Sequence, residues 1–379
     1  MPRRGLPGGG EMGISVRKKI AFALGAIAVA ALVAGIVWHF SSQTNAAGSA
    51  REIVPPSMSL VFVGDTGQGD QAKDFVARYG YRKSFEKIRP LIRDHDFLIG
   101  NLESTLTDEP PPPGRETRPT QPPDAVKAYA DEGFDVFGLA NNHITDFGAG
   151  GLDDTLAALD GAGIRHFGAG SNDAAAREPV ILEKDGLRVA LLGYCQDFKR
   201  LRQENAYAGP DAPGVARLDP DSVRTDVERA RALADHVVVV VHWVANYQRM
   251  GREAEALIRA VAAAKPSLII GHGPHVPWPI DVVDGVPVLY SIGNFIWHSK
   301  GRYKQDGVED LGFGLATNVT VDRVGIHGIR LTPYVCDNRK VKFIPTPATV
   351  AQSRELFRKL LRVPRGHVRE DGASVIWRP

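Results

Sequence analysis

Cysteine is scarce. The 379-residue chain has two, Cys195 and Cys336, which excludes a disulfide scaffold and a thiolate metal cluster. In an oxidising compartment those two could still pair. Net charge is equally slight: 46 Lys and Arg against 44 Asp and Glu give a formal +2 and no support for a nucleic-acid partner. Gly67-Gln68-Gly69 continues neither as G-x-G-x-x-G nor as a Lys-containing phosphate loop, so it does not make a nucleotide site. G-x-S-x-G is missing too, and Cys195 has no sequence partner that would make it a nucleophile. Any metal must be held mainly by His, Asp, Glu or Asn. With 43% hydrophobic and 24% charged residues, the chain can build a large core and is not disordered.

The +2 hides a split. Residues 1–19 carry Arg3, Arg4, Arg17, Lys18 and Lys19 against Glu11, a net +4; residues 20–40 carry no charge, so the remainder sums to −2. Residues 20–40 read IAFALGAIAVAALVAGIVWHF. At about 1.5 Å rise per residue, a helix of that length just spans a bilayer core. The basic cluster lies immediately before it and SSQTNAAGSA, without Lys or Arg, immediately after. The positive-inside rule then predicts a single-pass cell-membrane protein with a cytoplasmic N-terminus and a large extracytoplasmic domain. A cleavable signal peptide is the alternative, with small residues at 46–50 for cleavage, although its apolar region is usually about 7–15 residues. The predicted organisation is a basic tail (1–19), an anchor (20–40), a linker (41–56), a main domain (57–335) and a C-terminal extension (336–379).

Beyond the linker, short apolar runs at 59–64, 97–100, 136–140, 188–193, 236–241 and 267–271 read as strands. Amphipathic stretches at 84–93, 124–132, 152–162, 222–232 and 253–264 lie between most of them. That alternation predicts an α/β domain with buried strands. Runs at 286–292, 313–321 and 326–333 predict a second sheet or an antiparallel extension, and 353–363 a basic amphipathic helix. The proline-rich stretch 108–123 predicts a surface loop.

Five strands run into polar residues: Asp65; Asn101 and Glu103; Asn141, Asn142, His143 and Asp146; His242; His272 and His275. In open α/β sheets functional groups gather outside the carboxyl ends of strands, so these residues are predicted to share one rim. Carboxylates and neutral imidazoles suit Mn, Fe or Zn, as one ion or two. Gly64, Gly100 and Gly271 are expected to let the backbone turn beside the ligands. His143 is the candidate proton donor, with Asp146 orienting its ring. Each piece alone has a plainer explanation: a turn at Asp65, a helix N-cap at Asn141 or Asn142, a core histidine at His242. His39, His95, His166, His236, His298, His327 and His367 lack such a neighbourhood and read as surface or core side chains.

At these residues the chain resembles the CapA family of bacterial capsule and poly-gamma-glutamate synthesis proteins, related to calcineurin-like metallophosphoesterases. The matching pieces are Val63-Gly64-Asp65-Thr66-Gly67, Gly100-Asn101-Leu102-Glu103, Gly133-Phe134-Asp135-Val136, Leu139-Ala140-Asn141-Asn142-His143 with Asp146 and Gly148, Val241-His242-Trp243, Gly271-His272-Gly273-Pro274-His275, and Tyr290-Ser291-Ile292-Gly293-Asn294-Phe295. The resemblance implies a four-layer α/β/β/α sandwich of the metallophosphoesterase type behind one transmembrane helix. It also implies a role in making, exporting, trimming or anchoring an anionic surface polymer. Carried over, Asp65, Asn142, His242, His272 and His275 are metal ligands of a divalent transition metal and His143 the catalytic imidazole. Asn101 and Glu103 share the candidacy for a bridging or nearby position. Two departures stand out: Gly67 occupies the place where the phosphoesterases carry a histidine, and Asn246 falls where an acid is expected. Three functions follow: a metal-dependent hydrolase or transferase on the polymer, a non-catalytic assembly component contacting polymer or synthase and export subunits, or a phosphoesterase. Because the exported part is net negative, a polyanion would have to be attracted locally, by metal and by cations such as Arg115, Arg118 and Lys199.

Overall fold

The computed structural model describes residues 56–114 and 118–379, together with residues 31, 32 and 35, which are helical. Apart from those three, the run expected to cross the membrane lies outside the described residues; among them no helix is long and apolar enough to cross one. Pro55–Pro379 form one compact unit.

Strand β1 (Ser57–Thr66) shows how the unit is layered. Leu60 and Phe62 enter one apolar core, whereas the alternate Val61 and Val63 enter a second, as the two-residue period of a strand requires. A strand buried on both faces needs a continuous apolar run, which is why this one was legible. β2 (Phe97–Leu102) lies parallel to β1, and β3 (Val136–Gly138) parallel to β2. On the other edge of β1, Phe313–Asp322 and then Ile326–Val335 run antiparallel, and the hairpin of Val368–Asp371 and Ser374–Trp377 extends the sheet further. This nine-stranded mixed sheet therefore draws on residues 346–377 as well as the main domain.

The second sheet has seven strands around β4 (His236–His242), which lies parallel to Leu187–Gln196 on one side and to β5 (Leu268–His272) on the other. Its Leu191, Val239 and Ile269 belong to the same core as Leu60 and Phe62 of β1. Helices Pro220–Arg231 and Arg252–Ala262 add Val223, Val227, Ile258 and Val261 to that core. The first of these starts sharply because Asp219 accepts a hydrogen bond from the Ser222 amide and Pro220 occupies the opening turn. On the other face of the first sheet, Val61 and Val63 meet Phe85, Tyr129 and Leu152.

Residues 84–93 do not form the expected helix. They fall in two short 3₁₀ segments, Tyr81–Phe85 and Arg89–Ile92, and the turn between them, the second segment with Pro90 in its first turn, where a missing N–H and a ring clash oppose α-helical continuation. Among its described residues the proline-rich 108–123 stretch contributes the two-residue strand Thr120–Gln121, paired with Thr105–Leu106, and Pro123 opens a short 3₁₀ turn. Cys195 and Cys336 are both buried and free.

Candidate metal centre

Register aligns the polar strand ends. Asp65 pairs with Asn101 across β1 and β2, Asn101 with Gly138 across β2 and β3, and His242 with His272 across β4 and β5. The two sheets are joined at this rim by residues 290–295. Ile292 donates its amide to the Gly271 carbonyl at 3.1 Å, Asp65 donates to Gly293 at 3.1 Å, and Phe295 donates back to Asp65 at 2.9 Å. Close approach, rather than a turn, explains two of the strand-end glycines. A Cβ on Gly64 would lie 1.9 Å from the Gly293 carbonyl oxygen, and one on Gly271 1.9 Å from that of Tyr290. Gly273, with φ +99°, is the glycine that needs left-handed freedom, and its amide donates to the Asp65 carboxylate at 3.2 Å.

The ten residues predicted to share one rim converge there. Asp65 is fully buried and accepts from Asn101 Nδ2 at 2.8 Å, with His275 Nδ1 at 3.1 Å and His272 Nδ1 at 3.4 Å. Burial alone would raise its pKa, but the His272 and His275 imidazoles outweigh burial and hold the carboxyl below its ordinary range. His242 is pushed down by burial to about 3, so its ring is neutral at physiological pH. Its Nε2 lies 2.7 Å from Asn142 Oδ1 and its Nδ1 3.3 Å from Asn101 Nδ2. Asn141 is structural: its Oδ1 accepts the His143 and Ile144 amides, and its Nδ2 donates to the Leu102 carbonyl at 2.8 Å.

Glu103 is the anomaly. It is fully buried, yet neither carboxylate oxygen has a hydrogen-bond partner. Oε1 lies 3.5 Å from His242 Nε2 and 3.9 Å from His143 Nε2, and Oε2 lies 3.9 Å from His275 Nδ1. Burial, with Asp65 and Asp146 nearby, drives its pKa well up. A buried carboxylate without a partner costs several kcal/mol, roughly, unless something cationic compensates it. Asp65, Glu103 and His242 offer ligand atoms all within 4.8 Å of one another. The orphaned Glu103 oxygens and an all O/N donor set therefore fit a divalent transition metal, with Asn142, His272 and His275 as further donors.

His143 stands at the edge of the cluster, its Nδ1 2.6 Å from Asp146 Oδ2. That contact turns Nε2 toward Glu103 and the open side. A cavity of about 330 Å³ begins there, lined by Arg118, Asn142, His143, Arg200, Val244 and Asn246. Two larger cavities among the described residues contain none of the cluster residues. Of the cations expected around the groove, Arg118 lines it, Arg115 lies outside the described residues, and Arg200 takes the place expected of Lys199.

Sequence reasoning missed three neighbours. Asn294 places Oδ1 2.9 Å from His275 Nδ1, and the Trp297 ring lies tilted against the His275 ring at 4.5 Å between centroids. His298, read as an ordinary surface or core side chain, is 6% exposed, with Nδ1 3.6 Å from Asp70 Oδ2. Asn294 follows the 286–292 apolar run and was open to the strand-end argument; Trp297 and His298 lie in irregular backbone and carry no such signal.

A two-sheet α/β domain with a buried carboxylate and imidazole cluster at its strand ends defines a protein with a candidate metal centre. The particular family is set by comparison: residues 59–299 match the model of the bacterial capsule synthesis protein PGA_cap, and the chain belongs to that family. It is 31% identical over 278 residues to the capsule biosynthesis protein CapA of Bacillus anthracis, covering 71% of this chain and 66% of that protein. It is 30% identical over 295 residues to the PGA biosynthesis protein CapA of Bacillus subtilis strain 168, covering 76% of each. Among solved structures it is similar to a hypothetical protein from Thermus thermophilus (TM-score 0.44, 16% identity, 73% of this chain and 98% of that one). It is also similar to the calcineurin-like phosphoesterase YfkN from Bacillus subtilis (TM-score 0.41, 14% identity, 77% and 89%).

Proposed function

We propose that this chain is a membrane-tethered, extracytoplasmic metal-dependent hydrolase or transferase acting on an anionic surface polymer of the poly-gamma-glutamate type. In this reading the two sheets and their helices form a four-layer α/β/β/α sandwich, residues 20–40 are the tether, and one or two Mn, Fe or Zn ions occupy the cluster. The orphaned, fully buried Glu103 carboxylate carries the reading. Asp65, Glu103, Asn142, His242, His272 and His275 would hold the metal. The ion would supply Lewis-acid polarisation of the bond attacked. Asp146 holds the proton on His143 Nδ1, which leaves Nε2 on the cavity side to give a proton to the leaving group or take one from the nucleophile. The buried Trp297 ring, tilted against that of His275, covers its other side.

Elemental analysis of the purified full-length chain, with hydrolysis of poly-gamma-glutamate assayed on the same sample, tests the proposal. Bound transition metal that is lost with activity in His272→Ala supports it; a metal-free, active protein overturns it. If cells carrying His143→Ala keep full polymer output while deletion of residues 1–40 abolishes it, the chain is an assembly component instead.

A further inference from the structure

The cavity beside His143 has cationic walls that metal binding does not use. Arg200, on the short helix Lys199–Gln203, places Nη1 3.3 and 3.2 Å from the two carboxylate oxygens of Glu204. Arg118 places Nη2 3.6 Å from Glu204 Oε1 and Nη1 3.6 Å from Asp146 Oδ1, both longer than an ordinary N–H···O hydrogen bond of about 2.7–3.2 Å. The Arg118 and Arg200 side chains are only 23% and 33% exposed, so both guanidiniums are partly desolvated and their attraction for an anion is strengthened. Among the described lining residues, Val244 and Asn246 are uncharged. The Asn142 and His143 end of this cavity is the candidate reacting centre, so an anion held by the arginines would sit one subsite from the bond attacked.

We propose that Arg118 and Arg200 form a carboxylate subsite that holds a pendant carboxylate of the polymer next to His143, with Glu204 bracing the two guanidiniums between substrate encounters. The planar, bidentate fork of Arg matches a carboxylate, and a repeating polyanion presents one at every residue. This rests on the polymer reading above and adds to it the group that is recognised and the side chains that recognise it.

Binding of a γ-linked glutamate hexamer to the full-length protein in detergent, measured calorimetrically at two salt concentrations, tests it. The hexamer with its free carboxylates amidated and an oligophosphate of equal charge serve as controls. The wild type is expected to prefer the acid hexamer to either control by about tenfold or more, and less so at high salt. Arg200→Gln and Arg118→Gln should each weaken the acid hexamer about tenfold, leave the amide unchanged, and retain metal content and melting temperature. If Arg118→Gln fails to fold, Arg200→Gln and the partly restored Arg200→Lys decide the matter. Equal affinity of the Arg118→Gln, Arg200→Gln double variant and the wild type for the acid hexamer overturns the subsite, as does a loss shared equally by acid and amide. An arginine-dependent preference for the acid hexamer in a protein that cleaves nothing upholds the subsite and removes the hydrolase reading.

Discussion

Glu103 is where residue-scale physics bears most directly on function. Its raised pKa means that the folded, metal-free protein binds more protons than the unfolded chain above the ordinary Glu value of 4.5. The stability contribution is fully present below that pH and is lost as pH rises toward the folded value, at up to about 1.4 kcal/mol per pH unit. His242 acts in the opposite sense between about 3 and 6.5, gaining stability as pH rises, so the comparison belongs above pH 6.5. In chelator, the melting temperature of the wild type should fall from pH 6.5 to 8.5 more steeply than that of Glu103→Gln; parallel curves would show that Glu103 does not titrate in that window. If Glu103 holds a metal as proposed, the order should reverse when metal is restored, because the variant would lack an anionic donor. Asp146 bears on proton transfer instead. Asp146→Asn removes the charge that steadies a protonated His143, and about a 10- to 100-fold loss of turnover with unchanged metal content is expected. An equal loss of metal would reassign Asp146 to the structure of the cluster. The positions of these residues were legible because each lies at or just beyond the end of an apolar run; Glu103's lack of partners was not, since it depends on which side chains four other strands bring near it.

At the scale of elements, the site depends on how closely residues 290–295 lie against β1 and β5. Gly271→Ala drives a methyl group into the Tyr290 carbonyl oxygen at 1.9 Å, a backbone contact that no rotamer change relieves. A loss of about 2–4 kcal/mol is expected, read as a lower urea midpoint, with metal affinity reduced because His272 is the next residue. Gly150→Ala, on helix Gly148–Gly161 with open space at its Cβ, is the control and should match or exceed the wild type. If Gly271→Ala unfolds at the same urea concentration as the wild type, the close approach is not a constraint. The sequence showed that a glycine preceded His272 but not why, because the carbonyl that excludes a side chain lies in a segment nineteen residues on. The same limit explains residues 84–93, where apolar periodicity looked helical while Pro90 favoured shorter 3₁₀ turns. Buried parallel strands were easier to read: β1, β2, β4 and β5 differ from their apolar runs by at most two residues at either end, since burial on both faces leaves no other pattern.

For the whole molecule, charge and chain layout lead to one experiment. The net −2 of residues 41–379 would repel a polyanion overall, so on the function proposed above the attraction would have to be local, at a bound metal and at Arg118 and Arg200. It also follows that the +4 tail, if it stays cytoplasmic, cannot assist. Residues 20–50 hold no Lys or Arg, and Arg51 is the first trypsin site beyond the apolar run, just ahead of the compact unit Pro55–Pro379. Trypsin added to right-side-out membrane vesicles should therefore cut at Arg51 and release residues 52–379 with the melting temperature and metal content of the full chain. That unit carries its own core, and a cut outside it removes none of its contacts. Release from inside-out vesicles alone would reverse the orientation drawn from the basic cluster at residues 17–19. N-terminal sequencing before protease is added separates anchor from signal peptide: a mature chain that already begins near residue 46 has lost residues 20–40 and is held at the membrane, if at all, by a partner.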